Sequence, residues 1–264
     1  MTTIALAGKG GVGKTTIAAM VIKYLAQSQT GEILAIDADP SSNLNLALGL
    51  PLEWTIGDIR ENLLEQVKSS LTAGGAAMGS LPDGMSKRDY LDYQIRYSLA
   101  EGVHFDLIAM GRSEGPGCYC AVNHNLREVI DSISRSYRYV VIDNEAGLEH
   151  LSRRTTRDVQ VMLIVSDASM RGVVTAERVA AFCSELDIHI ENTYLILNNA
   201  PGGQLPAALQ ERIEQIGVPL LGVIPHDERI AEFDANGRPL IQLGDDSVVY
   251  RAVAAMLAKI LPGR

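Results

Sequence analysis

Residues Gly8–Thr15 read GKGGVGKT, set between the small and β-branched apolar run Thr3–Ala7 and the helical pattern Thr15–Gln27. Strand, glycine loop and helix in that order make a phosphate-binding turn. The spacing G-x-x-x-x-G-K-[ST] lets the backbone of Gly8, Gly10, Gly11, Val12, Gly13, Lys14, Thr15 and Thr16 wrap a phosphate at the positive end of the helix. Lys14 then bridges the β- and γ-phosphates, and the Thr15 hydroxyl holds Mg²⁺. Gly8, Gly10 and Gly13 also satisfy G-x-G-x-x-G, with Asp37 near the spacing of a ribose-binding acid. Lys14 and Thr15 decide against that dinucleotide site, which has no use for a buried cation or a metal-binding hydroxyl. The ligands expected here are ATP or ADP with Mg²⁺.

Outward from this loop, apolar runs alternate with helical patterns. The runs are Thr3–Ala7, Ile33–Ile36, Leu107–Met110, Tyr139–Ile142, Val159–Val165, Thr193–Leu197 and Leu220–Ile224. They are continuous rather than alternating, so they read as strands buried on both faces. Between or after them lie Leu126–Ser136, Gly172–Leu186, Leu205–Ile216 and Val248–Leu261 with helical spacing. The predicted class is α/β: a doubly wound, mostly parallel sheet with helices on both faces. Residues 51–102 show helical patterning and no convincing strand, which predicts a helical insertion within one domain of 264 residues.

Composition narrows the function classes. Lys and Arg number 23 against 32 Asp and Glu, a net charge of −9, which argues against a nucleic-acid-binding surface. Three cysteines are too few for a secreted disulfide scaffold. No apolar run reaches membrane-span length and Met1 leads straight into a strand, so the expectation is a soluble, cytoplasmic chain with no membrane partner.

Lys9 adds a second lysine at the start of the loop, giving K-G-G-x-G-K-[ST] over Lys9–Thr15. This resembles the "deviant" Walker A signature of the MinD, ParA and nitrogenase iron protein type. The resemblance covers nearly the whole chain and implies the P-loop NTPase fold, ATP hydrolysis and a homodimer in which Lys9 reaches the partner's nucleotide. By the same resemblance Asp39 polarises the attacking water and Asp37 sits near Mg²⁺. Read from the residues alone, either aspartate could instead cap a helix starting near Asn43. Tyr139–Asp143 (YVVID) has the Walker B pattern, in which Asp143 accepts from a water on Mg²⁺. Asn144-Glu145-Ala146-Gly147 follows in the place of the second switch, where the Gly147 N–H would meet the γ-phosphate. The family also implies an adenine-reading asparagine at Asn198-Asn199 and a base-lining turn at Pro225-His226-Asp227, although both are ordinary turn residues as well.

Cys118 and Cys120 stand in GPGCYC, before a helical pattern, where a turn lets both sulfurs converge and a helix N-terminus stabilises thiolates. Two thiolates are an incomplete set, and a homodimer would supply four, enough for Ni²⁺ or Zn²⁺. Cys183 lies in an apolar helical pattern and reads as a packing residue. His124 is left out of the metal set. With the loop, C-Y-C and D-N-E-A-G-x-E-H-L-S-R-R together, the chain resembles the accessory ATPases that insert nickel during maturation of carbon monoxide dehydrogenase and acetyl-CoA synthase. That resemblance implies one of these enzymes as the nickel client. Two rivals stay open: a MinD- or ParA-like positioning ATPase, and an iron–sulfur reductase, whose second cysteine is missing from Ile142–Leu148.

Overall fold

The computed structural model describes residues 1–28, 31–72, 86–111, 120–145, 158–185 and 188–261. Strand β1 (Thr2–Gly8) is buried from Thr3 onward and runs into the glycine loop and α1 (Lys14–Gln27). Then come β2 (Ile33–Asp37), α2 (Leu44–Leu48), α3 (Ile56–Thr72), α4 (Lys87–Tyr97), β3 (Ala100–Glu101) and β4 (Phe105–Ala109). The chain continues through α5 (Cys120–Ser134), β5 (Tyr139–Asp143), β6 (Asp158–Asp167) and α6 (Met170–Glu185). It closes with β7 (His189–Ala200), α7 (Ala207–Gln215), β8 (Leu220–Pro225), α8 (Glu228–Ala235) and α9 (Val248–Ile260).

The eight strands lie in the order β3-β4-β2-β5-β1-β6-β7-β8. All pairs are parallel except β3 with β4. Successive residues of the central strands feed two apolar layers. Ile4, Leu6, Val141 and Leu163 pack with Ile17, Val21, Val253 and Met256 of α1 and α9. Ala5, Ala7, Ile142 and Ile164 pack on the other face with Leu63, Ile95, Ile130 and Val173 of α3 to α6. The sheet is therefore doubly wound, and the phosphate loop leaves it from a central strand at the carboxyl edge.

The structure corrects the sequence reading in places. Residues 51–102 do contain a strand, the two-residue β3, which pairs antiparallel with the nearby β4 and is too short and too polar to show a strand pattern of its own. Helix α5 starts at Cys120, six residues earlier than the apolar spacing indicated. Helix α8 follows the Pro225-His226-Asp227 turn directly and has no counterpart among the predicted helices. Strand β8 is an edge strand and the first half of β7 is largely open, so these two are not buried on both faces.

Candidate functional site

The site is built at the carboxyl edge of β1, β2, β5, β6 and β7, where open α/β sheets take their ligands. Gly13 caps α1 with φ +90°, a left-handed conformation that favours glycine. A Cβ there would lie 2.4 Å from Asn198 Nδ2, so the loop can approach β7 only with glycine at this position. Lys14 is 8% exposed, and its ammonium donates to the Lys9 carbonyl at 3.2 Å, which folds the loop around the side chain. Burial lowers the Lys14 pKa, opposed by the nearby Asp143, Asp39 and Glu145. Lys9 itself is exposed.

The Thr15 hydroxyl donates to Asp143 Oδ2 at 2.6 Å. Asp143 is 1% exposed, and its Oδ1 has no hydrogen-bond partner among the described residues. Burial raises its pKa to about 7, with Asp37 and Asp39 adding to the rise and the Thr15 hydroxyl and Lys14 opposing it. The chain thus brings a hydroxyl, a carboxylate with an open oxygen and a buried ammonium together at the root of the loop.

The two aspartates after β2 differ. Asp37 is 1% exposed and accepts from the N–H groups of Asp39 (3.0 Å) and Leu44 (2.9 Å). Burial raises it to about 6 against these bonds. Its oxygens thus serve the turn into α2, the capping role that the sequence had left open for either aspartate. Asp39 is half-buried and holds the Ser41 N–H at 2.8 Å.

On the other side of the loop, a cavity of about 240 Å³ is lined by Gly11, Val12, Gly13, Thr16, Asn198, Asn199, Pro225, His226 and Asp227. Asn198 Nδ2 donates to the Val12 carbonyl at 2.8 Å, and His226 Nδ1 is hydrogen-bonded to Asn199 Oδ1. Two consecutive strand residues should point to opposite faces. Here a register irregularity against β8 and φ +57° at Asn199 bring both side chains to the same cavity.

Asp227, expected at the base, has its carboxylate engaged elsewhere. It caps α8 through the Arg229 N–H (3.1 Å) and holds the Arg229 guanidinium and the Ser247 hydroxyl (3.0 Å). Sequence reasoning missed five further lining residues, Asp167, Ile230, Ala231, Asp234 and Val249. Asp167 ends β6 as Asp37 and Asp143 end β2 and β5, and that repeated terminal aspartate was a usable signal.

Cys118 and Gly147 lie outside the described residues, and Cys120 marks the start of α5. Among the described residues no cluster of three or more His, Cys, Asp or Glu could hold a metal. Cys183 is buried, its thiol pushed up to about 11 by desolvation, as fits a packing residue. Two larger depressions, about 570 and 620 Å³, are lined by residues such as Cys183, His189 and Thr193, and Leu205, Val218 and Leu220. Neither includes a residue of the loop, whereas the smaller cavity adjoins the phosphate end. No described helix is long and apolar enough to cross a membrane.

Residues 3–240 match the model of the CobQ/CobB/MinD/ParA nucleotide binding domain family. The chain is 43% identical, over 98% of both chains, to an uncharacterized ATP-binding protein of Methanocaldococcus jannaschii. It is 28% identical to the carbon monoxide dehydrogenase accessory protein CooC of Rhodospirillum rubrum, over 98% of this chain and 97% of that one. The MinD cell division protein of Aquifex aeolicus superposes over 100% of both chains with a TM-score of 0.67 at 21% identity, a likeness of fold.

Proposed function

From the premise that this chain belongs to the CobQ/CobB/MinD/ParA nucleotide-binding family, we propose that it is an ATPase that works as a homodimer and loads nickel into a client enzyme, carbon monoxide dehydrogenase or acetyl-CoA synthase. The observation that carries the ATPase reading is the Thr15–Asp143 pair beside Lys14, with one buried Asp143 oxygen still open. A hydroxyl and a carboxylate are the hard oxygen donors that suit Mg²⁺, so Thr15 and Asp143 would hold it, directly or through water. When bound, Mg²⁺ neutralises charge on the β- and γ-phosphates.

The chain's own residues do the rest. The N–H groups at the start of α1 hold the phosphates at the positive end of the helix. Lys14, dry and fixed by the Lys9 carbonyl, faces the charge that develops as water adds to the γ-phosphorus and the bond to the bridging oxygen breaks. Asp39 is the carboxylate placed to orient that water. Asn198, Asn199, Pro225 and His226 enclose the base. Lys9, exposed on the loop, is free to reach the nucleotide of a partner chain.

The nickel reading is supported by the full-length similarity to an accessory protein of carbon monoxide dehydrogenase and by the Cys118-Tyr119-Cys120 sequence. Two chains would present four thiolates to one ion, and nucleotide state would set whether the shared site is assembled.

Phosphate release measured on wild type, Lys14→Ala and Asp39→Asn tests the ATPase reading. Lys14→Ala should abolish hydrolysis. Asp39→Asn should slow it by about 10²-fold or more while ATP stays bound and the dimer accumulates. Hydrolysis at the wild-type rate in Lys14→Ala would refute the assignment, and loss of ATP binding in Asp39→Asn would make that residue structural.

A further inference from the structure

Asn144 follows Asp143 where β5 leaves the sheet, and it is 1% exposed. Its Nδ2 donates to the Leu6 carbonyl at 2.8 Å. The last paired position between the strands is Leu6 with Asp143, so the side chain carries the contact one residue past the end of the ladder. Leu6 lies two residues before Gly8. The amide therefore ties the chain leaving β5 to the strand that becomes the phosphate loop.

The other half of the amide has no such use. Asn144 Oδ1 is buried and has no hydrogen-bond partner among the described residues. A buried acceptor with no protein donor is costly, and such groups in folded proteins call for an explanation. Asp143 Oδ1, on the preceding residue, is in the same condition. The two orphaned oxygens stand on consecutive residues at the point of the sheet edge where Thr15 meets Asp143. The Asp143 backbone there is satisfied: the Ala38 N–H donates to its carbonyl at 2.9 Å. Unmet acceptors here match a site that is completed when its ligand arrives.

We propose that Asn144 is a positioning residue for hydrolysis: its free oxygen accepts a hydrogen bond from a water that is ordered only when ATP occupies the loop. The amide then holds β1 with one end and that water with the other, so that the triphosphate state stiffens the junction between the loop strand and the chain after Asp143. The inference rests on the ATPase reading and deepens it. Asn144 acts through Asp143 and β1 and does not touch the nucleotide.

Thermal unfolding of wild type, Asn144→Ala and Asn144→Ser, each with Mg²⁺ and either no nucleotide, ADP or the slowly hydrolysed ATPγS, tests it. Wild type should gain more in Tm from ATPγS than from ADP. Both variants should keep ADP affinity within about threefold and lose most of the extra gain, with kcat down about tenfold and KM little changed. Serine is the milder change, so a folding failure of the alanine variant leaves the test intact. A residue that merely packs would lower Tm equally in all three states and leave the ATPγS-to-ADP difference at its wild-type size, and that result overturns the proposal. No Tm gain from either nucleotide in wild type would instead bring down the ATPase reading, and this inference with it.

Discussion

The Asp227 carboxylate accepts from the Arg229 N–H, the Arg229 guanidinium and the Ser247 hydroxyl, and so joins the start of α8 to the start of α9. Burial alone would raise its pKa, but the Arg229 side chain and N–H, with Ser247, outweigh that and hold it below the ordinary value of 3.8. A depressed native pKa means that the charged form stabilises the fold. That contribution is full above the unfolded pKa and is lost as pH falls through the lower native one. Asp227→Ala should therefore cost about 1–2 kcal/mol at neutral pH, the usual range for a lost cap with its charged partner. In urea unfolding, the gap to wild type should close in acid, below about pH 4. A gap that keeps its full size well below that pH would show that the carboxylate's charge is not what holds α8 and α9. Because Asp227 also borders the cavity beside the phosphate loop, a nucleotide-binding defect in this variant would follow from misplaced His226 and Pro225.

At the scale of elements, the loop and its two flanks were legible because they carry two independent signals, a continuous apolar strand and a complete phosphate motif. The central strands β2, β5 and β6 were legible for the first reason alone. What could not be read depends on pairing that single segments do not show. Ala100-Glu101, two residues with no apolar run, is a strand only because Phe105–Ala109 turns back beside it. Asn198 and Asn199 share a cavity only because the β7–β8 register slips there. Helix α8 was hidden behind Pro225-His226-Asp227, although Asp227 before Ile230 and Phe233, three apart, is a capped amphipathic pattern. Asp37 stands beside Asp143 in the sheet register, and its oxygens also serve the backbone of the following turn, a use no motif shows. The loop's own geometry supports a sharp test. Gly13→Ala asks a residue with a side chain to hold φ +90° and places a carbon 2.4 Å from Asn198 Nδ2. The variant should remain folded and lose nucleotide affinity by about tenfold or more, since strain of this kind costs on the order of 1–3 kcal/mol. Isothermal titration with ADP measures it, and wild-type affinity would mean that the loop adopts a different shape when it binds.

Across the whole molecule, one edge of the sheet collects the chemistry. The phosphate loop, Asp143, Asn144 and the cavity lined by Asn198, Asn199 and His226 all lie at the carboxyl ends of the strands, and α5, whose first residue is Cys120, packs on one face of that same sheet. A metal shared by two chains contributes free energy only to the dimer, so metal and nucleotide must each change the other's apparent affinity if both favour it. The coupling of the two chemistries is the centre of the account. Equilibrium dialysis with Ni²⁺, with and without Mg²⁺ and ATP and alongside oligomer mass, tests it on wild type, Cys118→Ser and Cys120→Ser. The account predicts one ion per two chains in wild type, an affinity that changes with nucleotide, and loss of tight binding in either variant while ATP still binds. Tight binding of one ion per chain that survives either substitution, or no nickel binding by wild type at all, would contradict it.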